Sequence, residues 1–166
     1  MFQRALVLGC PGSGKSTFAR RLRDITGLPL HYLDMIWHLP DRTTVPKEVF
    51  DRRLLGLVAG ERWIIDGNYQ RTIEPRLRAC DAVFLFDLPV EDCLAGAMAR
   101  VGRRREDMPW VEEALDDEFR QWILDFPQDQ LPAIYEHLSR YGEGREITVF
   151  RSRREAEAYL DALACR

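Results

Sequence analysis

Three observations predict an α/β fold for this 166-residue chain, with a parallel sheet covered by helices on both faces. Short apolar runs alternate with segments of helical period from end to end, the pattern that builds parallel sheets through helical crossovers. Residues Ala82–Phe86 are apolar at every position, as a central strand covered on both faces must be. Gly9 to Thr17 read G-C-P-G-S-G-K-S-T, which satisfies G-x-x-x-x-G-K-[ST] between an apolar run and a helical one.

Each element follows from local pattern. Residues 4–8 read as the first strand. The first helix starts near Lys15, carries Phe18, Leu22 and Ile25 on one face, and stops at Gly27. Residues 28–33 read as a short second strand. Pro46 opens a helix in which Phe50, Leu54, Leu57 and Val58 recur at helical spacing, and Gly60 closes it. Trp63 to Ile65 form a third strand ending at Asp66-Gly67, and a polar helix follows over residues 71–79. After the fourth strand, Pro89 and the pair Glu91/Asp92 open a helix that ends among arginines, charges that suit the helix dipole at both ends. Pro109 is expected to begin another helix, with Leu115, Phe119, Trp122, Ile123 and Phe126 as its buried stripe. A further helix covers about residues 129–140, and residues 147–150 are the fifth strand. Ser152-Arg153-Arg154-Glu155 is a capping box for a last helix packed through Ala156, Tyr159, Leu160 and Leu163. No repeat, low-complexity tract or linker appears, so residues 1–166 read as one domain.

Composition narrows the function. A hydrophobic fraction of 46% with 31% charged residues is ordinary for a water-soluble domain. No apolar run approaches the ~20 residues that span a bilayer, so no membrane association is expected. The N-terminus lacks the basic and apolar regions of a signal peptide, which makes the cytoplasm the expected location. The four cysteines have no metal-binding spacing and are expected to be free thiols. Cys10 lies inside the glycine-rich loop, where a helix dipole can lower its pKa, or it is simply a small residue that fits there. A net charge of −3 supplies no general field for nucleic acid, so none is expected as a partner. Of 24 basic residues only Lys15 and Lys47 are lysine; Lys15 stands where a lysine is chemically demanded.

The glycine-rich loop predicts binding of a nucleoside triphosphate, ATP, with Mg²⁺. Gly9, Gly12 and Gly14 let the backbone bend and bring N–H groups against phosphate oxygens, and the helix beyond adds its positive end. Lys15 reaches the β- and γ-phosphates and the Ser16 hydroxyl holds Mg²⁺. With Ser13 and Thr17 these are the candidate nucleotide-binding residues. Asp66, after Trp63-Ile64-Ile65, is the candidate second metal ligand. Asp87 follows a similar run, but it precedes Pro89 and reads as well as a cap for the next helix.

Asp66-Gly67-Asn68-Tyr69-Gln70-Arg71-Thr72 resembles the D-G-F-P-R-T segment of adenylate kinases, with one extra residue before the arginine. Arg100-Val101-Gly102-Arg103-Arg104 resembles their R-x-x-G-R-R lid segment, one residue shorter. Together with Leu30-His31-Tyr32-Leu33-Asp34, Trp37, Phe119, Trp122 and Arg151-Ser152-Arg153-Arg154-Glu155, these motifs make the chain similar to small adenylate-kinase-like P-loop proteins known as DNA topology modulation proteins. The resemblance implies a three-layer α/β/α P-loop NTPase fold with a five-stranded parallel sheet in the order 2-3-1-4-5. The short connection from Arg105 to Pro109 leaves only a short lid near residues 101–112, followed by the helical segment over 109–140.

Residue roles follow from the chemistry and the resemblance together. Phosphoryl transfer needs stabilisation of charge spread over the moving group. Arg100 and Arg104 are spaced i, i+4, would share one face of a continuous helix, and with Lys15 are the candidate catalytic residues. A solvated basic helix end is the plainer reading of the same arginines. Asp34 is placed where related small-molecule kinases present a carboxylate to the acceptor, or is a turn aspartate. Arg71 is placed to bind an acceptor phosphate, or is a surface arginine, and Asn68 either lines the acceptor pocket or builds the turn. Trp37 either stacks on a planar acceptor or belongs to the core; His31 and His38 have no role beyond packing or pocket lining. The resemblance puts the nucleotide base near Arg151 to Arg153, making Arg153 a cofactor-binding candidate. The expected activity is Mg²⁺-dependent phosphoryl transfer from ATP to a small acceptor, a nucleoside monophosphate or, alternatively, a metabolite hydroxyl as in shikimate- or gluconate-kinase-like proteins. A nucleotide-dependent regulatory module without catalysis is the remaining alternative. The segment 108–140 covers the acceptor or forms a dimer surface, so both monomer and homodimer are compatible with the sequence.

Overall fold

The computed structural model describes residues 2–165. Five parallel strands form one sheet: β1 (Arg4–Gly9), β2 (Leu30–Tyr32), β3 (Trp63–Asp66), β4 (Ala82–Phe86) and β5 (Glu146–Phe150). Their order is β2-β3-β1-β4-β5, the predicted α/β arrangement of a P-loop fold. In register, Val7 faces Asp66 and Gly9 faces Phe86, so the carboxyl ends of β1, β3 and β4 lie side by side. Open α/β sheets bind ligands in the crevice beyond these ends, where the strand order reverses.

Eight helices accompany the sheet among the described residues: α1 (Lys15–Thr26), α2 (Leu33–Trp37), α3 (Lys47–Val58), α4 (Ile73–Ala79), α5 (Val90–Ala99), α6 (Asp117–Asp129), α7 (Leu131–Tyr141) and α8 (Arg153–Ala164). Every residue of β3 and β4 is buried, as the continuous apolar pattern of β4 requires, and Asp66 at the end of β3 is buried with its apolar neighbours. Phe18 of α1 sets its ring 5.1 to 5.4 Å from those of Phe84, Phe86 and Phe150, fixing α1 against the sheet. Burying such a ring stabilises the fold by about 2 kcal/mol. The capping box of α8 is present in shifted form. Ser152 accepts from the Glu155 backbone N–H, while the Glu155 carboxylate accepts from the N–H of Arg151, one residue upstream.

Three boundaries differ from the sequence reading. The second strand is only Leu30–Tyr32, and α2 follows at once, so Asp34 lies in the first turn of a helix and not at a strand end. The helix carrying Arg100 ends at Ala99: Gly102 turns the chain with φ 75°, and Arg104 lies beyond it in irregular chain. Arg100 and Arg104 therefore share no helix face. Pro109 opens no helix; residues 101–116 contain no helix or strand, and α6 starts where Asp116 accepts from the Phe119 N–H at 2.7 Å. The helix-opening proline loses here because side chains of this stretch are drawn into ion pairs with α1 and Arg100. All four cysteines are free, and no helix among the described residues is long and apolar enough to cross a membrane.

Candidate active site at the carboxyl ends of β1 and β3

The loop between β1 and α1 rests directly on α5. Gly12 has φ 79°, and a Cβ there would stand 2.0 Å from the Cys93 carbonyl; a Cβ on Gly96 would stand 2.0 Å from the Gly12 carbonyl. Only glycine on both sides lets loop and helix approach so closely. Gly14, with φ 99°, precedes α1, whose first turn contains no acidic side chain to compete for its free N–H groups. Arg153 reaches across from α8 and donates to the Gly12 and Asp92 carbonyls, both at 2.8 Å. Asn68 braces the other end: its amide accepts from Gly9 N–H at 2.9 Å and donates to Gly9 C=O at 2.8 Å. The Cys10 thiol donates to the Ile123 carbonyl at 4.0 Å; the neighbouring Cys93 and burial hold it above the ordinary cysteine range against the pull of Lys15 and Arg100.

Beside this loop Ser16 Oγ donates to Asp66 Oδ2 at 2.5 Å, and Asp66 Oδ1 is buried with no hydrogen-bond partner. Burial raises the Asp66 carboxyl pKa, while Lys15 and the Ser16 hydroxyl pull it down. A buried carboxylate oxygen left without a donor, next to a hydroxyl, fits a hard divalent cation. No group of three His, Cys, Asp or Glu side chains that could hold a metal occurs among the described residues, so such an ion would take most of its oxygens from phosphate and water. Asp87 is otherwise engaged, accepting from Tyr135 and Arg151.

Two cavities open from the loop. The smaller, about 300 Å³, lies over Gly12 to Thr17 and is ringed by six cationic side chains, Lys15, Arg20, Arg100, Arg103, Arg104 and Arg105, against a single carboxylate, Asp107. The larger, about 740 Å³, lies between α2, the Gly67–Gln70 turn and residues 105–122. Lys15, Arg100, Arg105 and Asp107 line both and form their common boundary. The boundary is tightly paired: Arg105 contacts Asp107 at 3.1 Å and Glu112 at 3.3 Å, and Arg100 lies 3.3 Å from Glu112. Asp107 also faces Arg20 of α1 at 3.7 Å, and Glu106 accepts from Arg23 and Tyr32. These contacts hold residues 101–116 across the mouth of the site.

The wall of the larger cavity is built by an unusual turn. Tyr69 takes a left-handed conformation, φ 42°, uncommon for a residue with a side chain. Arg76, fully buried in α4, imposes it by donating to the carbonyls of Gly67 (2.7 Å), Asn68, Tyr69 (3.1 Å) and Thr72 (3.0 Å). The Tyr69 hydroxyl then donates to Asp34 Oδ1 at 2.7 Å. Burial and the Asp34 charge push the Tyr69 phenol pKa up, so it stays a donor. Asp34 Oδ2 receives no donor among the described residues and is free to act on a bound group.

The structure thus gathers Lys15, Ser16, Asp34, Asp66, Asn68 and Arg100 around one crevice. Arg104 lines the phosphate-loop cavity from the irregular segment. Arg71 is not in this group: it is exposed and forms a two-pronged pair with Asp51 at 2.6 and 2.8 Å. Trp37 packs edge-on against Phe50 at 5.5 Å and still lines the larger cavity. Sequence reasoning missed Arg76, Arg105, Asp107 and Glu112. An arginine in a polar helix and charges in a loop carry no local mark of burial; only the excess of Asp and Glu facing an arginine run in 103–113 hints at pairing.

No protein-family model and no curated protein matches this sequence. Among solved structures, the chain is similar to a shikimate kinase from Bacteroides thetaiotaomicron, with TM-score 0.61 at 15% identity over 98% of this chain and 97% of that one. It is also similar to a shikimate kinase from Acinetobacter baumannii in complex with shikimate (TM-score 0.57, 18% identity, 98% and 94% covered). A sugar kinase from a Janibacter species gives TM-score 0.51 at 19% identity, covering 98% and 92%. At these identities the likeness establishes a P-loop kinase fold.

Proposed function

We propose that this chain is a single-domain, cytoplasmic ATP-dependent phosphotransferase that moves the γ-phosphoryl group onto the hydroxyl of a small molecule. The observation that carries this reading is the junction of the two cavities. A cation-lined space over the glycine loop opens, past Lys15, Arg100 and Arg105, into a second space holding the carboxylate of Asp34. The fold shared with shikimate and sugar kinases supports it.

In this reading Gly12, Gly14 and Thr17 cradle the phosphates through backbone N–H groups, Gly9 and Ser13 shape the loop with their own N–H groups given to Asn68 and the Cys10 carbonyl, and Arg153 steadies it. Ser16 and Asp66 would hold Mg²⁺, which when bound shields charge on the phosphates. The acceptor hydroxyl attacks the γ-phosphorus, its proton passes to Asp34 Oδ2, and the bond to the β-γ bridging oxygen breaks to release ADP. Lys15 and Arg100 stabilise the charge on the transferring group, and Arg104 binds the donor phosphates from the lid formed by residues 101–112. Of the two acceptor classes, the metabolite hydroxyl is favoured over the nucleoside monophosphate. Arg71, the residue that would have gripped an acceptor phosphate, is committed to Asp51 outside the cavity. Membership of the DNA topology modulation group remains compatible with this chemistry, since it rests on the same loop and turn.

The test is ADP release measured across alcohols and nucleoside monophosphates, with calorimetric titration of Mg·ATP alongside. Lys15→Ala should lower acceptor-dependent turnover by about 10³-fold, the scale of losing a principal charge-stabilising group. Mg·ATP binding with no acceptor-stimulated turnover would leave the regulatory module as the better reading.

A further inference from the structure

We infer that the phosphate acceptor is a hydroxylated amine, a cationic amino alcohol or amino sugar, and not an anion; the inference rests on the phosphotransferase reading above. Leaving aside the four residues shared with the phosphate-loop cavity, the wall of the larger cavity bears one cation, Arg42, and four carboxylates, Asp34, Glu112, Glu113 and Asp116. Its positive charge is already spoken for. Arg42 pairs with Glu113, and at the boundary Arg100 and Arg105 pair with Glu112. Lys15, at the boundary, is taken by the triphosphate in this reading, and Arg71 is turned to Asp51, so no other arginine or lysine of the lining is left unpaired to receive an acceptor carboxylate or phosphate. Asp34 and Asp116 have no ion-pair partner among the described residues. An anionic acceptor entering this space would meet uncompensated like charge, whereas an ammonium group would be drawn to it.

The aromatic lining points the same way. Trp110, Phe119 and Trp122 line the cavity beside Asp116, with Phe119 and Trp122 stacked at 6.2 Å and 11° between ring planes. Ring faces attract cations, and this wall already does so: the Arg100 guanidinium lies 5.7 Å from the centre of the Phe119 ring. A bound amino alcohol therefore places its ammonium between Asp116 and these rings while its hydroxyl reaches Asp34 on the side nearest Lys15. Transfer is the balanced exchange already described, with the hydroxyl proton leaving to Asp34 and the ammonium unchanged throughout.

The experiment compares matched acceptors at fixed Mg·ATP: an aminocyclitol, its neutral cyclitol counterpart, and the anions shikimate, gluconate and nucleoside 5′-monophosphates. The expected result is that the amine raises ADP release well above the other two classes, with phosphate found on its oxygen and the effect lost in Lys15→Ala. The double variant Glu113→Gln/Asp116→Asn, which keeps the helix cap, should raise KM for the amine by about three- to tenfold, the scale of one or two partly exposed ion pairs, with kcat and ATP affinity little changed. Preference for a neutral or anionic acceptor over the amine overturns the inference and leaves phosphoryl transfer standing. A KM for the amine that is unmoved in the double variant also overturns it. Absence of stimulation by every class, with Mg·ATP still bound, overturns the phosphotransferase reading and this inference with it.

Discussion

The two cavities share a boundary but are built on opposite principles. The one over the glycine loop presents a helix N-terminus and a surplus of positive charge, six cations to one carboxylate. The other is walled by side chains from α2, α6, the Gly67–Gln70 turn and the irregular segment, and it is balanced toward negative charge. A triphosphate is the same wherever it occurs, so the loop proposed to hold it can be one contiguous motif with few solutions, with the cations of residues 100–105 added around it. An acceptor differs from protein to protein, and its site is assembled from distant segments that only the fold brings together.

The sharpest way to break that contrast is to damage each side by its own structural device. Gly12→Ala should be the largest effect. A Cβ at φ 79° and 2.0 Å from the Cys93 carbonyl costs about 3 kcal/mol or more in strain and overpacking. Calorimetry should show Mg·ATP binding lost, while circular dichroism shows a lower melting temperature. Unaltered ATP affinity in a folded Gly12→Ala protein would mean that the loop does not bind phosphate. On the other side, Arg76→Met keeps apolar volume but strips the carbonyls of Gly67, Asn68 and Tyr69 of their donor. Loss of these bonds, offset in part by no longer burying a charge, should cost about 2 kcal/mol. Because Tyr69 then relaxes away from Asp34, kcat should fall more than ATP affinity does. Equal losses in both would show that Arg76 serves the whole fold and not the acceptor wall.

A smaller effect of opposite sign is expected at Asp66. Burial raises its carboxyl pKa, so the folded state holds this proton more tightly than the unfolded chain does. Its contribution to stability is therefore present at low pH and lost as pH rises through the folded-state value. At neutral pH Asp66→Asn should raise the melting temperature of the nucleotide-free protein while weakening Mg-dependent ATP binding. A melting temperature that falls at neutral pH would show that the charged carboxylate stabilises the fold.

How much of this could be read from residues alone follows the same division. The strands at 82–86 and 63–66 and the loop from Gly9 to Thr17 were legible, because each depends on local period or on chemistry within a few positions; Ser16 and Asp66, 50 residues apart, were each singled out by their own motif, and their direct contact was not. The shared face of Arg100 and Arg104 was not, since one glycine at 102 ends the helix and spacing cannot reveal that. Arg71 and Arg76 make the point most plainly. Both are arginines of one short polar segment; the first, nearer the motif, faces solvent and Asp51, and the second is sealed in the core holding the turn. Which arginine is buried depends on the carbonyls that the turn leaves unsatisfied, a three-dimensional fact with no signature in composition.

The smallest prediction sharpens the contrast most finely, because it touches only the acceptor side. Trp122 is 38% exposed, lines the larger cavity, and meets the Phe119 and Phe126 rings at 6.2 and 5.5 Å. Its partial exposure means that truncation opens no sealed cavity in the core, so Trp122→Ala should alter the melting temperature little. What it removes is ring area at the proposed acceptor wall, worth about 1 kcal/mol of contact, or roughly fivefold in acceptor KM. Mg·ATP affinity should be unchanged, since no part of the phosphate-loop cavity includes this ring. A shift in ATP affinity instead would mean that the two spaces are coupled through α6 and α5, and that the division between backbone-read donor and side-chain-read acceptor is less clean than their linings imply.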